Sequence, residues 1–385
     1  MISTLEHLLE PEPRCHFKST TVKVPGKLYL AGEYAVLEPG HPAVIMAVDH
    51  YLTATVKASH LVGEGSFSSD LLGLDDLHYK RLKMDNPLSF DQIGAPGWEY
   101  VLSGIEVVEQ LLNELERPLL DYHLTFKTDL VAENGDKYGL GSSGAVTVAT
   151  IRSLLSLYGF NVLKPELVYK LSAIAMTLMK SEGSFGDIAS NVLGGWVYYQ
   201  SPDRKWLKNQ LEQKVSLQQL LLTDWPDLTL QSLPPVEDLE VMIGWTKTPA
   251  STPYFVKSLQ DHIQQEADYY QQFLKEAKES VIRLKEGFVT QNIPKIQEEV
   301  MNYRHLLLHL GEHYQLNIET DTLNQLVEIA QANQYSAKSS GAGGGDCGIA
   351  IGSSKNKGNG QRLKEQWEEA EIVPLALQIA PQLFK

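Results

Sequence analysis

Lys137-Tyr138-Gly139-Leu140-Gly141-Ser142-Ser143-Gly144 runs directly into the apolar helical stretch Ala145 to Leu157. Small residues let the backbone approach a ligand. The first amides of a helix have no internal partner, and the helix dipole favours negative charge there. The stretch therefore reads as a phosphate cradle. Its alternative, a serine N-cap on a buried helix, explains one serine but leaves three glycines without a reason. Gly139, Gly141 and Gly144 also satisfy G-x-G-x-x-G, yet a dinucleotide fold needs a strand immediately before the glycines and an acidic residue about twenty positions later. Here Asp129 to Tyr138 separates the preceding strand, Leu119 to Thr128, from the glycines. Gly343, Gly345 and Gly348 repeat the spacing in the order helix, loop, strand, which is the reverse of what that fold requires. No G-x-x-x-x-G-K-[ST] run is present.

Two further glycine-bearing segments accompany the cradle. Pro25-Gly26-Lys27-Leu28-Tyr29-Leu30-Ala31-Gly32-Glu33-Tyr34 places a lysine in a strand that ends in a glycine, a carboxylate and a phenol. Taken alone it reads rather as an edge-strand lysine, a turn glycine and a surface glutamate. Lys338-Ser339-Ser340-Gly341-Ala342-Gly343-Gly344-Gly345-Asp346-Cys347-Gly348 lies between an amphipathic helix and an apolar strand. Five glycines and two serines in eleven residues are costly to order unless something must come close to the backbone.

Around these segments the pattern mixes strands and helices without regular βαβ alternation, so the class is α+β. Thr20 to Val24 and Lys27 to Ala31 read as strand, turn, strand about Pro25-Gly26. Ala43 to Val48 and Tyr51 to Lys57 continue a sheet. Trp98, Val101, Leu102, Ile105, Val108, Leu111, Leu112 and Leu115 recur at helical spacing. Helices follow from Pro165 and from Asp187, then a strand Trp196 to Gln200. The proline-bearing stretch 201–238 reads as a linker or insertion between an N-terminal domain, 1–200, and a C-terminal domain, 239–385. The latter holds a strand at Leu239 to Thr246, helices at Thr252 to Glu286, Pro294 to His313 and Thr320 to Asn333, and strands at Cys347 to Ile351 and Ile372 to Ile379.

Composition narrows the function classes. A chain of 385 residues with 43% hydrophobic and 21% charged residues is globular and long enough for two domains. Two cysteines, Cys15 and Cys347, do not make a disulfide scaffold, and a reduced, cytoplasmic protein is expected. The start MISTLEHLLEPEPR lacks a basic then apolar leader, and no apolar run is long enough to span a bilayer. A formal charge of −15 argues against nucleic-acid or membrane partners, so an anionic ligand must be held by local cations and amides.

Taken in order, PGKLYLAGEY at 25–34, GLGSSGAVTVA at 139–149 and KSSGAGGGDCGIAI at 338–351 resemble the three signature motifs of the GHMP small-molecule kinases. The wording looks like the branch whose acceptor is phosphomevalonate. The resemblance implies a GHMP kinase fold: an N-terminal domain like ribosomal protein S5 domain 2, a ferredoxin-like C-terminal domain, and the active site between them. It implies ATP as co-substrate, Mg²⁺, and phosphomevalonate as small-molecule substrate, with a monomer or homodimer left open.

By the same resemblance Lys27 and Asp187 are the catalytic pair. Gly139, Leu140, Gly141, Ser142, Ser143, Gly144 and Ala145 hold the ATP phosphates, and Ser143 touches the metal. Lys137 reaches a phosphate or is a surface lysine. Glu33, Tyr34, Ser184, Lys338, Ser339, Ser340 and Ala342 are acceptor contacts together with Lys27, and Asp346 is a structural loop acid. Asp187 is alternatively the N-cap of its short helix. Kinases acting on mevalonate itself carry a metal-binding glutamate eleven residues before the catalytic aspartate. Met176 stands there, and Glu182 is at the wrong spacing. A kinase of that branch, another GHMP kinase, or a silent metabolite sensor are the competing readings. Trp98, Tyr29, Tyr198 and Tyr199 are expected in the core, and His305, His309 and His313 on a solvated helix face.

Overall fold

The computed structural model describes residues 19–71, 74–81, 88–90, 97–132, 134–160, 164–181, 183–263 and 267–383; Cys15 and Glu182 lie outside them. The chain opens with β1 (Thr20–Ala31) antiparallel to the long β2 (Pro42–Ala58). The expected turn at Pro25-Gly26 is absent. The strand runs through, and the register jumps there instead, with Pro25 opposite Tyr51 and Gly26 opposite Val48. Asp49 and His50 of β2 bulge out to absorb the jump. A proline is tolerated because β1 is an edge strand, pairing only with β2 among the described strands, so its missing N–H breaks no second ladder.

The rest of the first sheet comprises β3 (Glu64–Ser69), β4 (Leu77–Lys80), β5 (Ser89–Phe90), β6 (Tyr122–Thr128), β7 (Trp196–Gln200) and β8 (Thr229–Leu233), in the order β5-β4-β3-β6-β2-β7-β8. Helices α1 (Glu99–Glu114), α2 (Ser142–Leu157), α3 (Pro165–Leu178) and α4 (Gly186–Leu193) pack on one another, and α2 and α4 pack on β1 and β2. The apolar stripe read from Trp98 to Leu115 is buried except for Leu102, which packs against the core from its edge. Trp98, Tyr29, Tyr198 and Tyr199 are core residues.

The stretch 201–238 is not a bare linker. Its helices α5 (Arg204–Glu212) and α6 (Leu217–Leu222) lead into β8, which pairs with β7 along Thr229 to Leu233. The Glu114 carboxylate at the end of α1 accepts the first amides of α6, Leu217 and Gln218, at 2.9 Å each. Prolines and polar residues make the stretch look like a spacer, but buried leucines, Leu207, Leu217, Leu220, Leu221 and Leu233, and a helix start capped by Ser216 fix it to the first sheet.

The second sheet holds β9 (Leu239–Trp245), then helices α7 (Thr252–Ile263), α8 (Ala267–Val289), α9 (Ile293–Tyr314) and α10 (Asp321–Ala332), then β10 (Ser336–Ser339), β11 (Cys347–Ser353), α11 (Asn359–Glu369) and β12 (Val373–Leu375). Its order β10-β11-β9-β12, antiparallel throughout, is the ferredoxin-like β-α-β-β-α-β arrangement. The expected last strand, 372–379, leaves this sheet after Leu375 and crosses back to the first. There Gln378 and Asp49 exchange hydrogen bonds at the β2 bulge, the Ala380 N–H donates to the Ala47 carbonyl at 2.9 Å, and the Leu383 N–H reaches the Leu193 carbonyl at 2.9 Å.

Candidate active site

An edge strand exposes unpaired backbone groups that something must satisfy. On β1 two glycine-bearing loops do so. The Lys27 N–H donates to the Leu140 carbonyl at 2.9 Å, which docks the loop ahead of α2. The Ser340 hydroxyl accepts from the Tyr29 N–H at 2.8 Å and donates to the Tyr29 carbonyl at 3.0 Å, which docks the loop between β10 and β11. All three sequence motifs thus meet along one strand edge.

Lys27 is partly buried, and its ammonium donates to the Gly139 carbonyl at 2.9 Å. Gly141, the residue before α2, has φ +77°, and a Cβ there would lie 2.9 Å from both Cγ and Cε of Lys27. Glycine is therefore required twice over, for its conformation and for the lysine stem. Ser142 and Ser143 begin α2, and Gly141 offers no side chain to cap them, so the helix start is open to an anion.

Asp187 is the second residue of α4, and its Oδ1 accepts the Ile188 N–H at 3.0 Å. It does not cap from outside the helix; Phe185, in the left-handed region, occupies that position. Burial lifts the Asp187 carboxyl above its ordinary value, opposed by the Lys27 charge and by backbone amides that include Gly144. Burial likewise lowers the Lys27 ammonium, opposed by Asp187, Asp346, Cys347 and Glu33. The two side chains face each other across the start of α2.

A Cβ on Gly144 would stand 2.5 Å from Asp187 Oδ2. Gly144→Ala is expected to cut kcat about a hundredfold by displacing the carboxylate. The melting midpoint should move by only a few degrees, because alanine regains about 1 kcal/mol of helix propensity. Steady-state kinetics beside a thermal melt check this, and a large melting loss with intact kcat would contradict it.

Ser184, expected as an acceptor contact, sits in a web of hydroxyls beside β1. Its hydroxyl meets the Tyr29 hydroxyl at 3.0 Å and accepts from Gly186 N–H at 3.3 Å, while Tyr199 holds its carbonyl and is itself 2.7 Å from the Tyr169 hydroxyl. Tyr34 donates to the Ala342 carbonyl. Ser339 is buried within β10. Glu33 and Lys338 were expected to face the acceptor, but they form an ion pair with each other, Lys338 fully buried and Glu33 3% exposed. Their opposite charges sit on two segments that the fold brings together, which spacing in the sequence does not reveal. The Leu140 and Ala145 side chains are core, which leaves only their backbone to meet a ligand. Lys137 is exposed, and its charge acts on Asp346, whose Oδ1 accepts the Ala250 N–H at 3.1 Å.

Two residues escaped the sequence reading. Asn191 follows Asp187 by one helical turn and donates to the Pro25 carbonyl at 2.6 Å, tying α4 to β1. Its i+4 spacing from the aspartate was the available signal. Tyr100, on α1, lies near the Ser143 side chain and within the field of Asp187. Nothing in its local sequence marks it.

At the position of the expected metal-binding glutamate, Met176 is buried, and its sulfur receives the Thr147 hydroxyl at 3.7 Å. Among the described residues no group of three or more His, Cys, Asp or Glu side chains could hold a metal, and His305, His309 and His313 are exposed on α9. One hydroxyl, Ser143, and one carboxylate, Asp187, at an open helix start suit Mg²⁺. That ion binds through one or two protein oxygens plus phosphates and keeps several waters.

Two family descriptions match the chain: "GHMP kinases N terminal domain" over residues 99–195 and "GHMP kinases C terminal" over residues 284–372. A phosphomevalonate kinase of Streptomyces sp. (strain CL190) is 34% identical over 360 residues, covering 92% of this chain and 95% of that protein. The solved Lin0012 protein of Listeria innocua superposes with a TM-score of 0.87 at 32% identity, covering 95% of this chain and 99% of its own. Streptococcus pneumoniae phosphomevalonate kinase, solved with phosphomevalonate and AMPPNP, superposes with a TM-score of 0.81 at 31% identity, covering 94% and 99%. With the three motifs converging on one strand edge between an eight-stranded sheet and a ferredoxin-like sheet, this chain belongs to the GHMP kinase family.

Proposed function

We infer that this chain is an ATP-dependent phosphotransferase, a phosphomevalonate kinase that moves the γ-phosphoryl group of ATP to the 5-phosphate of (R)-5-phosphomevalonate, giving 5-diphosphomevalonate and ADP. The observation that carries the reading is the Lys27 ammonium, held by the Gly139 carbonyl at the open start of α2 and facing Asp187. Relatives of the same length and fold that act on phosphomevalonate support it. We read the enzyme as cytoplasmic, and the first domain as extending through 201–238.

Transfer between two anions is limited by charge and alignment. An acceptor phosphate oxygen forms the new P–O bond as the bond from the γ-phosphorus to the β,γ-bridging oxygen breaks, and ADP carries away the electron pair. Ser142, Ser143 and the first amides of α2 hold the triphosphate, and Lys27 draws the acceptor toward it. The second pKa of an alkyl phosphate is near 6, so at neutral pH the acceptor is largely ionised and needs no strong base. Asp187 orients Lys27 and keeps it cationic against the cost of burial. Mg²⁺, when bound at Ser143, supplies neutralisation of phosphate charge.

The test is ADP release from ATP with phosphomevalonate, mevalonate, galactose and homoserine offered separately. Turnover with phosphomevalonate is expected and negligible turnover with the other three. Preference for mevalonate would reject the reading, and ATP binding with no release from any of them would favour a sensor.

A further inference from the structure

We propose that Glu33 and Lys338 are positioning residues: a buried charge pair that holds the Gly341-Ala342 segment in register with Lys27 and contacts no ligand itself. The proposal rests on the kinase reading above and adds a mechanical element to it.

Four links join β1 and the turn after it to β10 and the loop that follows it. The Lys338 ammonium pairs with the Glu33 carboxylate, whose Oε1 also accepts the Gly341 N–H at 3.3 Å. The Tyr34 hydroxyl holds the Ala342 carbonyl, and Ser340 is bonded to both backbone groups of Tyr29. Tyr303 on α9 fixes the Glu33 backbone from behind, its hydroxyl donating to the Glu33 carbonyl at 2.8 Å. The Lys338 ammonium is fully buried and already donates to the Glu33 carboxylate and, at 2.5 Å, to the Ser339 carbonyl, so it is shut off from solvent and from the cleft. Gly341 is different. A Cβ there would meet nothing within 4 Å, so the loop turns toward open space at the residue that Glu33 grips.

Stability does not account for the pair. A buried ion pair is often matched or bettered by apolar residues of the same shape. This one is also incompletely satisfied, because Glu33 Oε2 is buried without a hydrogen-bond partner among the described residues. Burial lowers the Lys338 ammonium, so the site works against the very charge it keeps. What the pair supplies is a fixed register between two segments 305 residues apart in the chain, the best-attested use of a buried polar group.

The test compares wild type with the charge-free double variant Glu33→Gln/Lys338→Met, measuring melting midpoint, KM for ATP, and kcat/KM for phosphomevalonate. The double variant is expected to melt close to wild type and to keep its ATP KM within about twofold, while kcat/KM for the acceptor falls about tenfold or more. The single variant Lys338→Met, which strands a buried carboxylate, should melt far lower. A double variant with wild-type kcat/KM for the acceptor overturns the proposal. If the double variant does not fold, Tyr34→Phe serves, since it removes only the hydroxyl on Ala342. It should raise the acceptor KM about threefold or more at constant ATP KM, and an unchanged acceptor KM overturns the proposal. Failure of the kinase reading is separable, because it appears as wild type without phosphomevalonate turnover. Should wild type use another acceptor, the same ratios are read with that acceptor, and no turnover with any acceptor rejects the pair's role as well.

Discussion

Lys27→Met is expected to lower kcat by about a thousandfold while ATP still binds, because it removes the cation aimed at the charge that develops between donor and acceptor. Affinity for the nucleotide should change little, since the start of α2 and its serines are left intact. The fold should survive. Burial already disfavours the Lys27 charge, so an apolar side chain of similar length removes a cost, though it leaves Asp187 without its counter-cation. A melting shift of a few degrees at most follows. Lys27→Arg should not restore the rate, because Gly141 leaves just enough room for a slim aliphatic stem and a guanidinium is a planar fork, not a point charge. Turnover measured beside nucleotide titration decides the matter, and a Lys27→Met enzyme within tenfold of wild type would remove the basis of the mechanism.

Asp187→Asn is expected to lower kcat about a hundredfold and to change the pH profile on one side only. In wild type the acid limb belongs to the acceptor phosphate, whose second pKa is near 6. The alkaline limb belongs to Lys27, whose ammonium is held below the ordinary lysine value by burial and partly lifted by the Asp187 charge. Activity needs the lysine protonated and is therefore lost as pH rises through that lowered value. Taking away the aspartate charge removes the largest opposing effect, so the lysine loses its proton earlier and the alkaline limb moves to lower pH. The acid limb stays in place. If Asp187 were a general base, its loss would abolish an acid limb of its own and leave a rate rising in proportion to hydroxide, and a pH–rate profile separates the two.

Much of the site is legible in the sequence. Glycines beside an apolar helix start, a lysine in a strand and an ordered glycine loop each carry a local chemical reason, and all three reach the same strand edge. What stays hidden depends on contacts between distant segments. Pro25-Gly26 signals a turn locally, yet pairing along the whole of β2 overrides it and turns the break into a bulge. The family resemblance implies Glu33 and Lys338 as acceptor contacts, since the motifs that hold them face the substrate in that family. Only the docking of one loop on another shows them neutralising each other. Tyr100 lies forty-odd positions ahead of Ser143 on a different helix, and no spacing rule links them. Composition leaves 201–238 open between linker and insertion, since prolines near helix starts and strand ends punctuate a folded segment as readily as a spacer.

The return of residues 377–383 to the first sheet bears on how the protein comes into being on the ribosome. The β2 bulge and the end of α4 are completed by backbone groups translated only after both sheets' own strands. The first sheet therefore waits, incompletely hydrogen-bonded, until residues 377–383 have emerged. Assembly of the first sheet is coupled to that of the second, and the two are poor candidates for separate production and later recombination.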